Sequence, residues 1–384
     1  MKKVWNVDRK EFVDFKENKV VSLLDFVIES PAGRDLKILQ LSDPQIIDAG
    51  QIRFFERLNP IEKAYWATEN DEKRCYGYLK EIIGETKPDI IIITGDLVYG
   101  EFDDNGSVLK KFVKFMDGYK IPWLPVFGNH DNETVLGVEW QTEMLENAEY
   151  CLFKKGSVSG NGNYTVGITE NGELKRVFVM LDTHGCKCVM GLYDDQVEWY
   201  TEKLENIKAA YPDVKISFVM HVQPMIFEKA FSKYGFINQG MAENSIETIN
   251  IDAFPDKPDT DFGLLGADLK NPWDGDFKIW QGMKGLGMDS MFVSHQHSNS
   301  GSVIYDGVRC QFGQKSSTYD RANYITPENK IVHSYTCAGE PIVGGTVFTV
   351  RKASGDITDA HIYLCKEAGG NSPLLKPKKQ SKTC

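Results

Sequence analysis

The 384-residue chain lacks any apolar stretch long enough to span a bilayer, which argues against a helical membrane protein. It has no internal repeat. Positive charge is in deficit, with 44 Lys and Arg against 55 Asp and Glu and a formal net charge of −11. Duplex DNA is held largely by cationic side chains that neutralise phosphates, so that partner is not expected. Cysteine is sparse and scattered: of eight, only Cys186 and Cys188 lie close together. A C-x-C pair has the spacing of neither a zinc knuckle nor a thioredoxin motif. Reduced, partly buried thiols are expected, with a disulfide or metal ligation at Cys186 and Cys188 as the other reading. The first ten residues carry no apolar leader core. A cytoplasmic location is the expectation, or a secreted one if a leader has been removed. The sequence is silent on oligomeric state.

What the chain does have is a core. Hydrophobic residues make up 41% and charged residues 26%, the balance of a globular protein. Residues 36–41 read as a buried strand. Apolar residues at Cys75, Tyr78, Leu79, Ile82 and Ile83 predict a helix over 71–85, stopped by Lys87-Pro88. Four consecutive isoleucines within 89–94 are a strand buried on both faces. A short amphipathic helix over 108–116 and a strand over 123–127 follow. Alternation of strand, helix and strand implies a parallel sheet covered by helices. Further on, strands are predicted at 163–168 and 176–182, joined by an Asn171-Gly172 hairpin turn. A helix over 194–210, a strand over 214–220, a helix over 277–286 and a strand over 291–293 come next. Short strands are expected near 302–305, 309–312, 346–350 and 360–364. The fold class is α/β, with two sheets and helices on both outer faces.

Residues 1–35 read as an N-terminal extension and 36–365 as the main domain. Residues 222–276, rich in Gly, Asn, Asp and Pro, read as a long irregular insertion or lid. Residues 366–384 read as a flexible tail, with four lysines after Gly369.

Five short motifs fall where predicted strands end. They are Ser42-Asp43-Pro44-Gln45, Gly95-Asp96-Leu97-Val98-Tyr99, Gly128-Asn129-His130-Asp131, Met220-His221 and Ser294-His295-Gln296-His297. Ligands at the C-terminal ends of neighbouring parallel strands converge on one crevice. Asp96 is suited to bridging two cations, because Gly95 leaves room for close approach. Asn129 offers an amide oxygen, and His221, His295 and His297 offer imidazoles. Mixed nitrogen and oxygen donors suit Mn, Fe or Zn more than Ca. Two divalent or mixed-valence ions so held can activate a bridging hydroxide for in-line attack at phosphorus. Taken singly each motif has a bland reading, as a turn, a capped loop or a core histidine. Their order and context make the set specific.

That set resembles the calcineurin-like metallophosphoesterase superfamily, in its purple acid phosphatase-like branch, from about residue 36 to about residue 312. The Gly128-Asn129-His130-Asp131 element is its most specific part. The resemblance implies a four-layer αββα sandwich of two mixed sheets flanked by helices. It implies that Asp43 and His297 bind the first metal, that Asp96 bridges, and that Asn129, His221 and His295 hold the second. His130 would assist the leaving group or stabilise the transition state, oriented by Asp131. The family's first motif is commonly Asp-x-His. Here Gln45 stands in the histidine's place and can ligate only through its amide oxygen. Tyr99 lies at the offset of the iron-binding tyrosine of purple acid phosphatases, so it is either a ligand or a packing residue. Ser294 stands where a glycine commonly precedes the last histidine pair, and fits if its backbone avoids positive φ.

The function implied is a dinuclear metal-dependent phosphoric ester hydrolase acting on a small phosphorylated substrate. The alternatives are a nucleotide or cyclic-nucleotide phosphodiesterase of the same superfamily, or a weakly catalytic metal-stabilised binding protein. Arg53 and Arg57 could reach a substrate phosphate or lie on a solvated face. Phe262, Trp273 and Trp280 could line a cleft or pack a core or lid. His184, His333 and His361 are read as structural.

Overall fold

The computed structural model describes residues 3–14, 19–48, 72–102, 105–185, 189–236, 246–266, 276–318, 322–334 and 339–375. Arg53, Arg57, Trp273, Cys186 and Cys188 lie outside the described residues.

The strand Leu36–Leu41 pairs in parallel with Ile90–Ile93, which pairs in parallel with Trp123–Pro125. Gly344–Val350 and Ile357–Leu364 extend this sheet antiparallel on the other side, giving five strands. A second sheet of eleven described strands has Glu173–Met180, Lys215–Val219 and Met288–Val293 at its centre, all parallel. Val308–Phe312 continues the parallel run beside Met288–Val293, and antiparallel pairs lie beyond it and beside Glu173–Met180, so both sheets are mixed. Parallel neighbours need crossovers, and the intervening helices Glu72–Thr86, Ser107–Asp117 and Asp194–Ala210 supply them.

The layering follows from strand alternation. On Glu173–Met180, Phe178 and Met180 point into one core and Val177 and Val179 into the other. The first core also holds the isoleucines of Ile90–Ile93 and the apolar stripe Cys75, Tyr78, Leu79, Ile82 and Ile83 of Glu72–Thr86. The second holds Tyr200, Leu204 and Ile207 of Asp194–Ala210, with Trp280 and Met283 of Asp276–Gly285. The order is therefore helices, five-stranded sheet, eleven-stranded sheet, helices: the four-layer sandwich expected above. Trp280 is 1% exposed and packs in the outer core, and Phe262 is buried in a strand. The Asn171-Gly172 turn takes φ of 52° and 76°, the doubly left-handed geometry that hairpins with Asn-Gly favour.

Three features differ from the sequence reading. The strands Lys3–Asn6, Glu11–Asp14 and Phe26–Glu29 are part of the eleven-stranded sheet, where Phe26–Glu29 pairs with Tyr164–Glu170. The segment 222–276 contains the helix Ile226–Phe231 and the strands Ile246–Glu247, Ile249–Asn250 and Phe262–Leu265. A small third sheet joins Ile246–Glu247, Ala322–Ile325, Ile331–Ser334 and Glu340–Ile342. Strands of two to four residues are too short for alternation to register, so tertiary pairing alone defines them.

Candidate metal centre

The two sheets aim their motif-bearing strand ends at one another. Leu36–Leu41 delivers Asp43, Ile90–Ile93 delivers Asp96, and Trp123–Pro125 delivers Asn129, His130 and Asp131. From the facing sheet, Lys215–Val219 delivers His221, and Met288–Val293 delivers His295 and His297. Leaving an extended strand and turning side chains inward requires unusual backbone. Asp43, Gln45, Asp96 and His295 all lie in the left-handed region, at φ of 48°, 43°, 51° and 70°. Such residues carry a conformational cost of order 1–3 kcal/mol each and cluster at functional sites. Ser294 is not among the residues of positive φ, which meets the condition for it to replace glycine. Its hydroxyl donates to Thr94 O.

Asp96 lies at the centre. Its Oδ1 accepts from the His130 main-chain N–H at 2.9 Å, and its Oδ2 accepts from Gln45 Nε2 at 3.1 Å. His221 Nε2 is 3.4 Å from the same Oδ2 and 3.0 Å from Asn129 Oδ1. His221 Nδ1 faces Thr94 O at 2.9 Å, and a carbonyl only accepts, so Nδ1 carries a proton. That leaves Nε2 directed at Asn129 and Asp96. The His295 ring stands 5.1 Å from that of His221, edge to face. His297 Nε2 is 3.3 Å from Asp43 Oδ1, and His221 Nδ1 is 4.0 Å from the same oxygen. Asp43, Asp96 and His221 offer ligand atoms within 4.8 Å of one another, all three residues buried.

Two glycines admit this packing. A Cβ at Gly95 would sit 2.4 Å from His221 Nδ1, and one at Gly128 would sit 2.2 Å from Asp96 Oδ1. The room at Gly95 is thus taken up by the imidazole of His221.

The electrostatics describe a cluster with too many acids for its surroundings. Burial raises Asp43 to about 7, and burial with the charge of Asp96 raises Asp131 to about 8. Burial also opposes ionisation of Asp96, but His221 and His130 outweigh it and hold that carboxyl below its usual range. Burial opposes charging His221 as well, yet Asp96 raises it to about 9. His295 is lowered to about 3 by burial and by His221. Asp43 Oδ1 is buried without a hydrogen-bond donor although an imidazole nitrogen lies beside it. A buried acceptor in that state is costly unless a cation or donor reaches it. The donor set of carboxylates, an amide oxygen and imidazoles fits a transition-metal ion.

Three candidate residues have these surroundings, and for Tyr99 they are those of the packing reading. The carboxylate that meets the His130 ring is Glu133, 2.7 Å from Nδ1. Asp131 instead accepts the main-chain N–H groups of Val98 at 3.1 Å and Gly128 at 2.8 Å, fixing the loop that carries the motif. Tyr99 stacks on His130, with ring centroids 3.9 Å apart. Gln45 turns its amide oxygen to the Lys315 ammonium and its NH₂ to Asp96. Glu133 and Lys315 were not anticipated. The i,i+3 spacing of His130 and Glu133 was a usable signal for the first. Nothing local marks Lys315, which is 270 residues from Gln45.

A family model described as calcineurin-like phosphoesterase matches residues 36–299. An uncharacterised protein of Schizosaccharomyces pombe is 26% identical over 223 residues, covering 55% of this chain and 41% of that protein. Phosphatase DCR2 of Saccharomyces cerevisiae is 28% identical over 169 residues, covering 41% of this chain and 29% of that protein. An Arabidopsis thaliana protein named "Probable inactive purple acid phosphatase 29" is 28% identical over 102 residues, covering 26% of this chain and 25% of that protein. The chain spans less than half the length of each of these relatives. By the extent of the family match and the layered fold that carries the motifs, the chain belongs to the calcineurin-like phosphoesterase family.

Proposed function

We propose that this chain is a dinuclear metal-dependent phosphoric ester hydrolase. The observation that carries the reading is the convergence of donors on Asp96 from both sheets. Asn129 Oδ1 and His221 Nε2 form one pair, with His295 beside them. Asp43, whose Oδ1 lacks a donor, and His297 form a second pair. In this reading Asp96 would be shared between two ions, Asp43 and His297 would hold the first, and Asn129, His221 and His295 would hold the second. Manganese, iron and zinc all suit the donor set. When bound, the ions supply Lewis acidity, which activates water and offsets charge on the phosphoryl oxygens.

The chain's own residues do the rest. His130 is tied to the centre through its main-chain N–H on Asp96, while its ring is oriented by Glu133 and backed by Tyr99. It is positioned to give a proton to the departing oxygen. Tyr99 is a platform for His130 in this reading, not a ligand. Asp131 holds the loop in place through two main-chain N–H groups.

The test is hydrolysis of p-nitrophenyl phosphate and its bis ester by manganese- or zinc-loaded protein, before and after chelation. Turnover of at least one ester, lost on chelation and restored by metal, is expected. The second reading, a metal-stabilised binding protein with little turnover, is favoured by one observation: Gln45 has its oxygen on an ammonium. Bound metal with neither ester cleaved would establish that reading over the hydrolase.

A further inference from the structure

Lys315 lies in the segment 313–318 that follows the strand Val308–Phe312. This segment is buried and locked to the strand end that carries Asp43. Ser316 N–H donates to Ser42 O at 2.9 Å, Ser42 N–H donates to Ser316 Oγ at 3.0 Å, and Gly344 N–H donates to Lys315 O at 3.0 Å. A Cβ at Gly313 would sit 1.8 Å from Ser42 Oγ, so the approach leaves no slack. That register sends the Lys315 side chain into the centre, where the residue is 1% exposed.

The ammonium donates to Asp43 O at 2.9 Å and to Gln45 Oε1. An ammonium has no acceptor, so it fixes which end of the Gln45 amide faces it. The NH₂ group then points at Asp96 Oδ2. One lone pair of the Gln45 amide oxygen is thereby taken, and the ammonium beside it disfavours a cation at the other. A buried ammonium is costly unless nearby groups compensate it, and the acids of the centre supply that compensation. A fixed positive charge beside Asp43 and His297 opposes a divalent ion there. Among the described residues, no lysine or arginine bonds the side chains of Asn129, His221 or His295.

We propose that Lys315, acting through Gln45, makes the two cation positions unequal. The Asn129–His221–His295 side fills first and tightly. The Asp43–His297 side fills only at higher metal concentration. The inference rests on the dinuclear reading given above.

The experiment titrates the metal-stripped full chain with Mn²⁺ alone by calorimetry, and locates the ion by anomalous scattering at one equivalent. Two steps are expected, with dissociation constants at least about tenfold apart, and the first ion beside His221. Lys315→Met should tighten the weaker step by about tenfold or more and leave the tighter one unmoved. The parent titration needs no variant, so a Lys315→Met protein that fails to fold does not remove the test. Equal affinities, a first ion beside His297, or an unmoved weaker step in Lys315→Met would each overturn the inference alone. Uptake of no ion at all would overturn the dinuclear reading and this inference with it.

Discussion

Asp96→Ala is expected to retain at most one ion and to hydrolyse p-nitrophenyl phosphate at least about a thousandfold more slowly than the parent. The expectation follows from the place of the side chain. Its two oxygens are oriented by different neighbours, Oδ1 by the His130 N–H and Oδ2 by Gln45, and His221 Nε2 stands 3.4 Å away. Asp43 stands beside His297, and His221 beside Asn129 and His295. A shared carboxylate contributes to both positions, so its loss is felt twice. Several kcal/mol of lost transition-state stabilisation corresponds to the stated rate, at about 1.36 kcal/mol per factor of ten. Elemental analysis and steady-state kinetics check the result, with a melting curve to show that the variant folds. Two ions retained with near-parental turnover would remove Asp96 from the centre of the account.

His130→Ala is the second large effect. Turnover should fall by about 10²–10⁴ while metal content stays at the parental value. The separation is possible because His130 reaches Asp96 through its main-chain N–H, which alanine keeps. What the variant loses is the ring, held by Glu133 at 2.7 Å and stacked on Tyr99. The choice of ester sharpens the reading. A nitrophenolate leaves readily as an anion, whereas an alkoxide needs a proton. A larger loss on an alkyl phosphate than on p-nitrophenyl phosphate marks His130 as the proton donor. Equal losses on both mark it as a stabiliser of the transition state, and no loss on either contradicts both roles.

Much of this arrangement was legible in the sequence because the motifs follow strands with strong composition signals. Ile90–Ile93 could hardly be anything but a strand buried on both faces, so Gly95-Asp96 had to lie at its end. The helix Asp194–Ala210 began and ended at the predicted residues. What escaped was of two kinds. Very short strands such as Ile249–Asn250 are defined by their partner, here Phe262–Leu265, and carry no periodicity of their own. The strand Phe26–Glu29 pairs with residues about 140 positions later, a relation that no local window holds.

The site divides in the same way. Residue types at strand ends pointed to Asp43, Asp96, Asn129, His130, His221, His295 and His297, and the fold brings them near one another. The orientation of Gln45 depended on Lys315, and local pattern could not supply it. Asp131 sat next to His130 in sequence, but the backbone turn directed its carboxylate to the N–H groups of Val98 and Gly128. Glu133, one helical turn further on, met the ring instead. Adjacency in sequence gave the wrong neighbour because the 3-10 turn Asp131–Glu133 reorients the chain there.

The measurement that bears most directly on the whole account is an anomalous difference map from crystals of the full chain grown with excess manganese. Two peaks flanking the Asp96 carboxylate are predicted, one touching Asp43 and His297 and the other touching Asn129, His221 and His295. Well-diffracting crystals in which manganese avoids these side chains altogether would contradict it.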